Sequence, residues 1–241
     1  MKKKYNYFFY FILIFIVIYI SYLLYELDDK KSYNRKLEED GYIIINNPYN
    51  KYDVLKHLPK GYNFIDYIYE IKGCAISTFH RDITSSQYIF NTKYPVYTYV
   101  IYHNTGRLLS VSPGSHKTIP FLWKNIYTIS GKGNTGVLFN SDLIHAGAIN
   151  KFGDKRHIIQ YKICHYEDLN KLNHLIGINT TKIGNCKNKN KNYEFILRKI
   201  SLLFPFIINH LFTGLLQKKP DKDSLFDYLI NKFYIGDFYS Y

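Results

Sequence analysis

The sequence predicts a mainly β domain, a sandwich or jelly roll, carried behind one N-terminal transmembrane helix. Two observations lead there. Between residues 42 and 164, short runs of β-branched and aromatic residues recur with turn signals between them. That is the pattern of many short strands rather than of alternating strands and helices. Residues 5–25 form an unbroken apolar and aromatic run with no charge and no proline. At about 1.5 Å per residue, such a run as a helix spans the roughly 30 Å hydrocarbon core of a bilayer.

From the N-terminus, residues 1–26 read as a basic tip and anchor. Lys2, Lys3 and Lys4 precede the apolar run, and no small-residue cleavage site ends it, so the segment is expected to stay as an anchor. Basic residues also follow it at Lys30, Lys31, Arg35 and Lys36. The triple lysine favours a cytosolic N-terminus and a lumenal β domain on a single-pass membrane protein. Asn179-Thr180-Thr181 is the glycosylation sequon that would report this side.

Residues 27–40 are charged and read as a stalk, and residues 41–168 as the β domain. Within the latter, strands are expected at 42–45, within 62–82, and at 94–102, 107–111, 125–129, 135–139 and 157–164, with a short helix at 52–58. Pro113-Gly114 and Gly131-Lys132-Gly133 supply turns. Residues 169–241 form a C-terminal extension, helical at first, with a solvated Lys/Asn tract at 182–191. Residues 195–216 are apolar but interrupted by Arg198, Lys199, Pro205 and His210, which makes them a poor second span. They read as helices packed on the domain, or as an amphipathic segment on the membrane surface.

The formal charge of +13 comes from 32 Lys and Arg against 19 Asp and Glu. Lysine is spread along the chain together with Asn, Ile and Tyr, and no nucleic-acid-binding motif is present, so no nucleic-acid partner is expected. The three cysteines, Cys74, Cys164 and Cys186, have no C-x-x-C spacing, which speaks against a zinc site. Cys74 and Cys164 sit in apolar runs and read as buried thiols.

The chemistry gathers around His80 and Asp82. If residues 76–79 run as a strand, positions i and i+2 face the same side, so an imidazole and a carboxylate converge. An isolated H-x-D triplet is usually just a hydrogen-bonded pair. With His145 the set becomes two histidines and one carboxylate, the facial triad of non-haem Fe(II) oxygenases, which leaves coordination positions open. Arg156, eleven residues after His145, is placed to hold the far carboxylate of a 2-oxoacid by charge-assisted hydrogen bonds. Thr98 lies on a strand expected to cross the pocket, where its hydroxyl would touch the cosubstrate. His116 is read as shaping a turn or the pocket rim, and Arg81 as pointing away from the metal.

The surrounding text carries a resemblance. Gly106-Arg-Leu-Leu-Ser-Val-Ser-Pro-Gly-Ser-His116 resembles the G-x-L-x-V-x-P-G-S-H segment of the phytanoyl-CoA dioxygenase family. The run from Gly136 through His145-Ala146-Gly147 to Arg156 resembles that family's distal-histidine and arginine segment. The likeness covers roughly residues 60–165. It implies a double-stranded β-helix and an Fe(II)- and 2-oxoglutarate-dependent dioxygenase using O₂. His80, Asp82 and His145 would be the metal ligands, and Arg156 would bind 2-oxoglutarate. The carboxylate at Asp82 favours hydroxylation over halogenation. An anchored site favours a lipid or acyl substrate, with a membrane protein, a glycan or a secreted polypeptide as alternatives. Rival readings are a prolyl-hydroxylase-like protein modifier and a catalytically silent, membrane-anchored structural protein.

Overall fold

Alternation of inward and outward side chains appears as two packed β-sheets in the computed structural model. It describes residues 2–23, 25–48, 50–74, 78–118, 125–149, 155–184, 198–199 and 201. The chain is mainly β, as expected, with few helices. The larger sheet has the order β10-β3-β9-β4-β7-β2: β10 (Ile178–Gly184), β3 (Tyr62–Gly73), β9 (Arg156–His165), β4 (Tyr97–Tyr102), β7 (Thr135–Asn140) and β2 (Tyr42–Asn46). The smaller has the order β1-β6-β5-β8: β1 (Glu26–Asp28), β6 (Ile126–Gly131), β5 (Gly106–Val111) and β8 (His145–Gly147). Pairing is antiparallel except at one edge of each sheet, where β10 runs parallel to β3 and β1 parallel to β6.

The register explains why β4 has no solvent-exposed face. Thr98, Val100 and Tyr102 face the smaller sheet, opposite Lys162, Gln160 and Ile158 of β9 on one side and Phe139, Val137 and Thr135 of β7 on the other. Val100, Tyr102, Val137, Phe139 and Ile158 pack there against Leu109, Val111 and Ile129 of the smaller sheet. Tyr97 and Tyr99 take the opposite face with Ile163 and Leu138, covered by Val54 and Leu58 at the 3₁₀ turn Lys51–His57. Burying each large side chain of this kind contributes about 1.5–3 kcal/mol, so the two clusters hold the strand bearing Thr98 rigidly.

The segment read as a stalk lies against the sheets. β1 extends the smaller sheet, and the short α2 (Leu37–Asp40) ends at Gly41, whose φ of 86° favours glycine. Arg35 bonds Asp29 and Asp40 at 3.0 and 2.8 Å, and the Tyr42 hydroxyl donates to Asp29. β10 was not expected: residues 178–184 pair with β3, so Lys182, Ile183 and Gly184 continue a strand where the sequence suggested the start of a loop. The rest of the Lys/Asn tract lies outside the described residues.

α1 (Lys2–Leu23) is a 22-residue helix at the position expected for the anchor. Its side chains are described over residues 7–18 and at Ser21, and the large apolar ones are 39% to 74% exposed. Among the described residues no helix is long and apolar enough to cross a membrane. The expected membrane span of residues 5–25 is therefore not shown among the described residues. Of the C-terminal extension beyond Gly184, only Arg198, Lys199 and Ser201 are described. Arg198 and Ser201 are buried and bonded to the domain, as packing would require.

The cysteine reading needs one correction. Cys164 is a free, buried thiol, pushed up to about 11 by burial. Cys74, expected to be another buried thiol, is disulfide-bonded. It directly follows the last pair of the β3–β10 ladder, and its N–H reaches the Gly184 carbonyl at 3.4 Å.

Candidate metal centre

His80 and His145 are brought together by the backbone before any side-chain contact is considered. They form an isolated antiparallel bridge in which each N–H donates to the other's carbonyl at 2.9 Å. Residues opposed in this way carry their side chains on one face. The ring centroids are 4.5 Å apart, and the His145 ring also lies 4.5 Å from that of Phe139, on the floor provided by the larger sheet.

Asp82 joins them by a turn. Its φ and ψ of −75° and 80° are not those of a strand, and it caps the 3₁₀ turn Ile83–Ser85. His80 and Asp82 therefore converge through a turn and not by the i, i+2 alternation expected of a strand; residues 75–77 lie outside the described residues. The turn is held by Asp82 N–H to the Ser141 carbonyl at 2.8 Å and by Asp142, which accepts from the Ser86 hydroxyl and, at 2.8 Å, from the Gln87 N–H. Arg81 points away, as expected. It is buried and donates to the carbonyls of Asp142 and Thr118.

One ligand-type atom from each of His80, Asp82 and His145 lies within 4.8 Å of the others. Asp82 Oδ1 stands 3.5 Å from His145 Nε2 and 3.7 Å from His80 Nε2, beyond hydrogen-bond range. Each histidine donates from Nδ1 to a carbonyl at 2.8 Å, Thr78 for His80 and Leu143 for His145. That fixes the tautomer with the Nε2 lone pair facing the centre, the arrangement metal-binding imidazoles use. Burial pulls His145 down to about 4, a shift that the Asp82 charge only partly opposes, so its lone pair is available at neutral pH. The other carboxylate oxygen, Oδ2, accepts from Thr98 Oγ1 at 2.5 Å and Lys162 Nζ at 2.6 Å. Burial, the largest single influence, raises Asp82, but Lys162, His145 and His80 together outweigh it and hold the carboxyl far below the usual carboxylate range. Three electron-pair donors thus converge with no proton between them, which suits a divalent cation.

Arg156 opens β9 beside the distal histidine. Gly147 lies two residues beyond His145 on β8, on the same face and about 7 Å along the strand. A Cβ added at Gly147 would meet Arg156 Nη1 at 1.8 Å, so glycine there admits the guanidinium. Arg156 is buried and donates to the Ala148 carbonyl. Thr98 sits behind the carboxylate: its hydroxyl bonds Asp82, Lys162 and Ser141. Its hydroxyl, expected to meet a cosubstrate, is engaged here in supporting the Asp82 carboxylate. His116 is at the rim of the domain, its Nε2 3.3 Å from the Glu38 carbonyl and its ring closing over Gly41.

Sequence reasoning missed Lys162 and the C-terminal contacts. Lys162 interrupts an apolar strand, and that interruption was the available signal. Ser201 Oγ accepts from Phe79 N–H at 2.8 Å, next to His80, and Arg198 donates to the Gly147 carbonyl at 2.8 Å while its guanidinium lies 4.3 Å over the Phe79 ring. Arg198 and Lys199 both bond Glu26, at the start of β1. Burial raises Glu26, but these two cations outweigh it and lower the carboxyl to about 2. Nothing in the primary structure advertises contacts spanning more than 170 residues.

No protein-family model matches the sequence, and no curated protein matches it. Among solved structures, the chain is similar to the non-heme alpha ketoglutarate dependent epimerase SnoN from nogalamycin biosynthesis, at 9% identity over 54% of this chain and 80% of that one, with a TM-score of 0.38. It is also similar to apo HygX from Streptomyces hygroscopicus (10% identity, 54% and 84% covered, TM-score 0.41) and to AviO1 from Streptomyces viridochromogenes (12%, 59% and 97%, 0.37). HygX has been solved with iron, and with nickel and 2-oxoglutarate. At TM-scores this low the likenesses carry no weight for activity, which has to be read from the triad itself.

Proposed function

We propose that the chain is an Fe(II)- and 2-oxoglutarate-dependent dioxygenase, of phytanoyl-CoA dioxygenase-like type, that hydroxylates a C–H bond. The observation that carries this is the triad: His80 Nε2, His145 Nε2 and Asp82 Oδ1 face one point, with the remaining polar atom of each side chain tied off. Two imidazoles and one carboxylate are the donor set that suits Fe(II) and leaves positions open. Iron bound there supplies oxidative decarboxylation of 2-oxoglutarate by O₂ to succinate and CO₂, coupled to hydroxylation of the substrate. The chain's own residues hold the ligands in one tautomer and one orientation. Arg156, cradled at Gly147, meets the far carboxylate of the oxoacid with its guanidinium. Phe139 and the core behind it exclude water.

The test uses the full chain in detergent. Anaerobic titration is expected to show one equivalent of Fe(II) bound, and succinate release is expected to require Fe(II), 2-oxoglutarate and O₂ together. A chain that takes up no Fe(II) sinks the reading.

Membrane attachment and side belong to the same proposal. The supports are α1 with its exposed apolar side chains, the three lysines at its N-terminal end, and β1 beginning three residues after α1 ends. That spacing holds the domain at the end of the helix, which favours a lipid, acyl or other membrane-proximal substrate. A disulfide at Cys74 belongs to an oxidising compartment, and Asn179 of the sequon is exposed on edge strand β10. Both favour a lumenal domain. Expressed in cells with a secretory pathway, the chain is expected to carry a glycan on Asn179, seen as an endoglycosidase-sensitive mobility shift absent from Asn179→Gln. Unchanged mobility, together with a Cys74 that reacts with maleimide without prior reduction, refutes the placement.

A further inference from the structure

Behind Asp82 lies a buried cation that the oxoacid chemistry itself does not call for. The Lys162 side chain is 1% exposed. Its three N–H donors have three acceptors: Asp82 Oδ2 at 2.6 Å, Ser85 Oγ at 2.8 Å and Thr98 Oγ1 at 2.8 Å. The ladder itself sets its position, because Lys162 and Thr98 are direct cross-strand partners of β9 and β4.

We propose that Lys162 is a positioning residue that keeps Asp82 a one-oxygen ligand and biases the bound metal toward its divalent state. The inference rests on the iron reading above and deepens it. Oδ2 already accepts two short hydrogen bonds, from Thr98 and Lys162, while Oδ1 alone faces both Nε2 atoms. An oxygen so engaged is a weak second donor to a metal. With one carboxylate oxygen and two imidazoles, a six-coordinate ion keeps three positions, enough for a bidentate oxoacid and O₂; a two-oxygen carboxylate would leave one too few. The ammonium also withdraws electron density from Asp82 and places a positive charge one carboxylate away from the ion. That raises the cost of a trivalent ion relative to a divalent one. A unit charge about 6 Å away, at an effective dielectric constant near 20, shifts such an equilibrium by roughly 10- to 100-fold.

The experiment compares the parental full chain with Lys162→Met, Lys162→Gln and Lys162→Arg after anaerobic loading with Fe(II). The ferric fraction is read by electron paramagnetic resonance in a mediator titration. The 2-oxoglutarate affinity is read from the visible absorption of the Co(II)-loaded protein. At a fixed potential, Lys162→Met and Lys162→Gln are expected to raise the ferric-to-ferrous ratio about 10- to 100-fold and to weaken 2-oxoglutarate binding. Lys162→Arg, which keeps the charge, should stay within a few-fold of the parent on both. Lys162→Gln retains a donor to Asp82 and is the variant to read if Lys162→Met does not fold. A purely structural lysine would change stability and leave the ratio unmoved. An iron-loaded Lys162→Gln chain with the parental ratio overturns this inference alone, whereas a parental chain that binds no divalent ion overturns the iron reading and this one with it.

Discussion

Asp82→Ala is expected to abolish stoichiometric Fe(II) binding and to cut succinate release by more than about 100-fold. Mutating residues that merely support a metal ligand costs about 10- to 100-fold, so losing the ligand itself should exceed that range. The single variant has a second consequence. It leaves Lys162 buried opposite nothing, and breaking a buried pair costs about 3–5 kcal/mol. Loss of activity alone would then be ambiguous between a missing ligand and a loosened fold. The double variant Asp82→Ala/Lys162→Met separates the two, because replacing both partners by apolar groups is often close to neutral for stability. Its thermal midpoint is expected to recover most of what Asp82→Ala loses, while Fe(II) binding and succinate release stay absent. Parental succinate release from a folded double variant would remove Asp82 from the metal site.

How much of this was legible in the chain follows from where each residue sits. Strands β2, β4 to β7 and β9 were readable because both faces of the larger sheet are packed, or one face of the smaller, and apolar alternation records that packing. β1 and β10 were not. Both are edge strands joined to distant partners in parallel, β1 to β6 and β10 to β3, and are held by the backbone ladder. β10 alternates between half-buried and exposed positions, so Asn179, Thr180, Thr181 and Lys182 look like loop. The triad was legible as a set of residue types, but its geometry was not: His80 and His145 meet through a backbone bridge and Asp82 through a turn. Thr98 was noticed for its place on a pocket strand, yet its partner is decided by Lys162, its cross-strand neighbour in β9. Such pairs are set by sheet register, which a local pattern does not encode.

Reduction of the disulfide at Cys74, or the substitution Cys74→Ser, is expected to lower the thermal midpoint by about 10–20 °C. Non-reducing peptide mapping should join Cys74 to Cys186, the cysteine left once the free Cys164 is set aside. A bond between residues 74 and 186 closes a loop that contains His80, Asp82, His145 and Arg156. Closing a loop of about 100 residues stabilises by up to about 4.7 kcal/mol in the chain-entropy model. For a chain of this size each kcal/mol moves the midpoint by roughly 2–4 °C, which gives the range above. The location matters as much as the magnitude. Cys74 follows Gly73, which is paired with Gly184 at the end of β10, an edge strand among the described residues, so a bond from Cys74 to residue 186 would pin β10 where it would otherwise fray first. The triad does not depend on that edge: its supports are Thr78, Leu143, Thr98 and Lys162. Cys74→Ser is therefore expected to keep Fe(II) binding at low temperature while losing heat resistance, and reductant should have no further effect on it. If reductant leaves the parental midpoint unchanged, the bond contributes nothing to the fold, and the argument from it for an oxidising compartment falls as well.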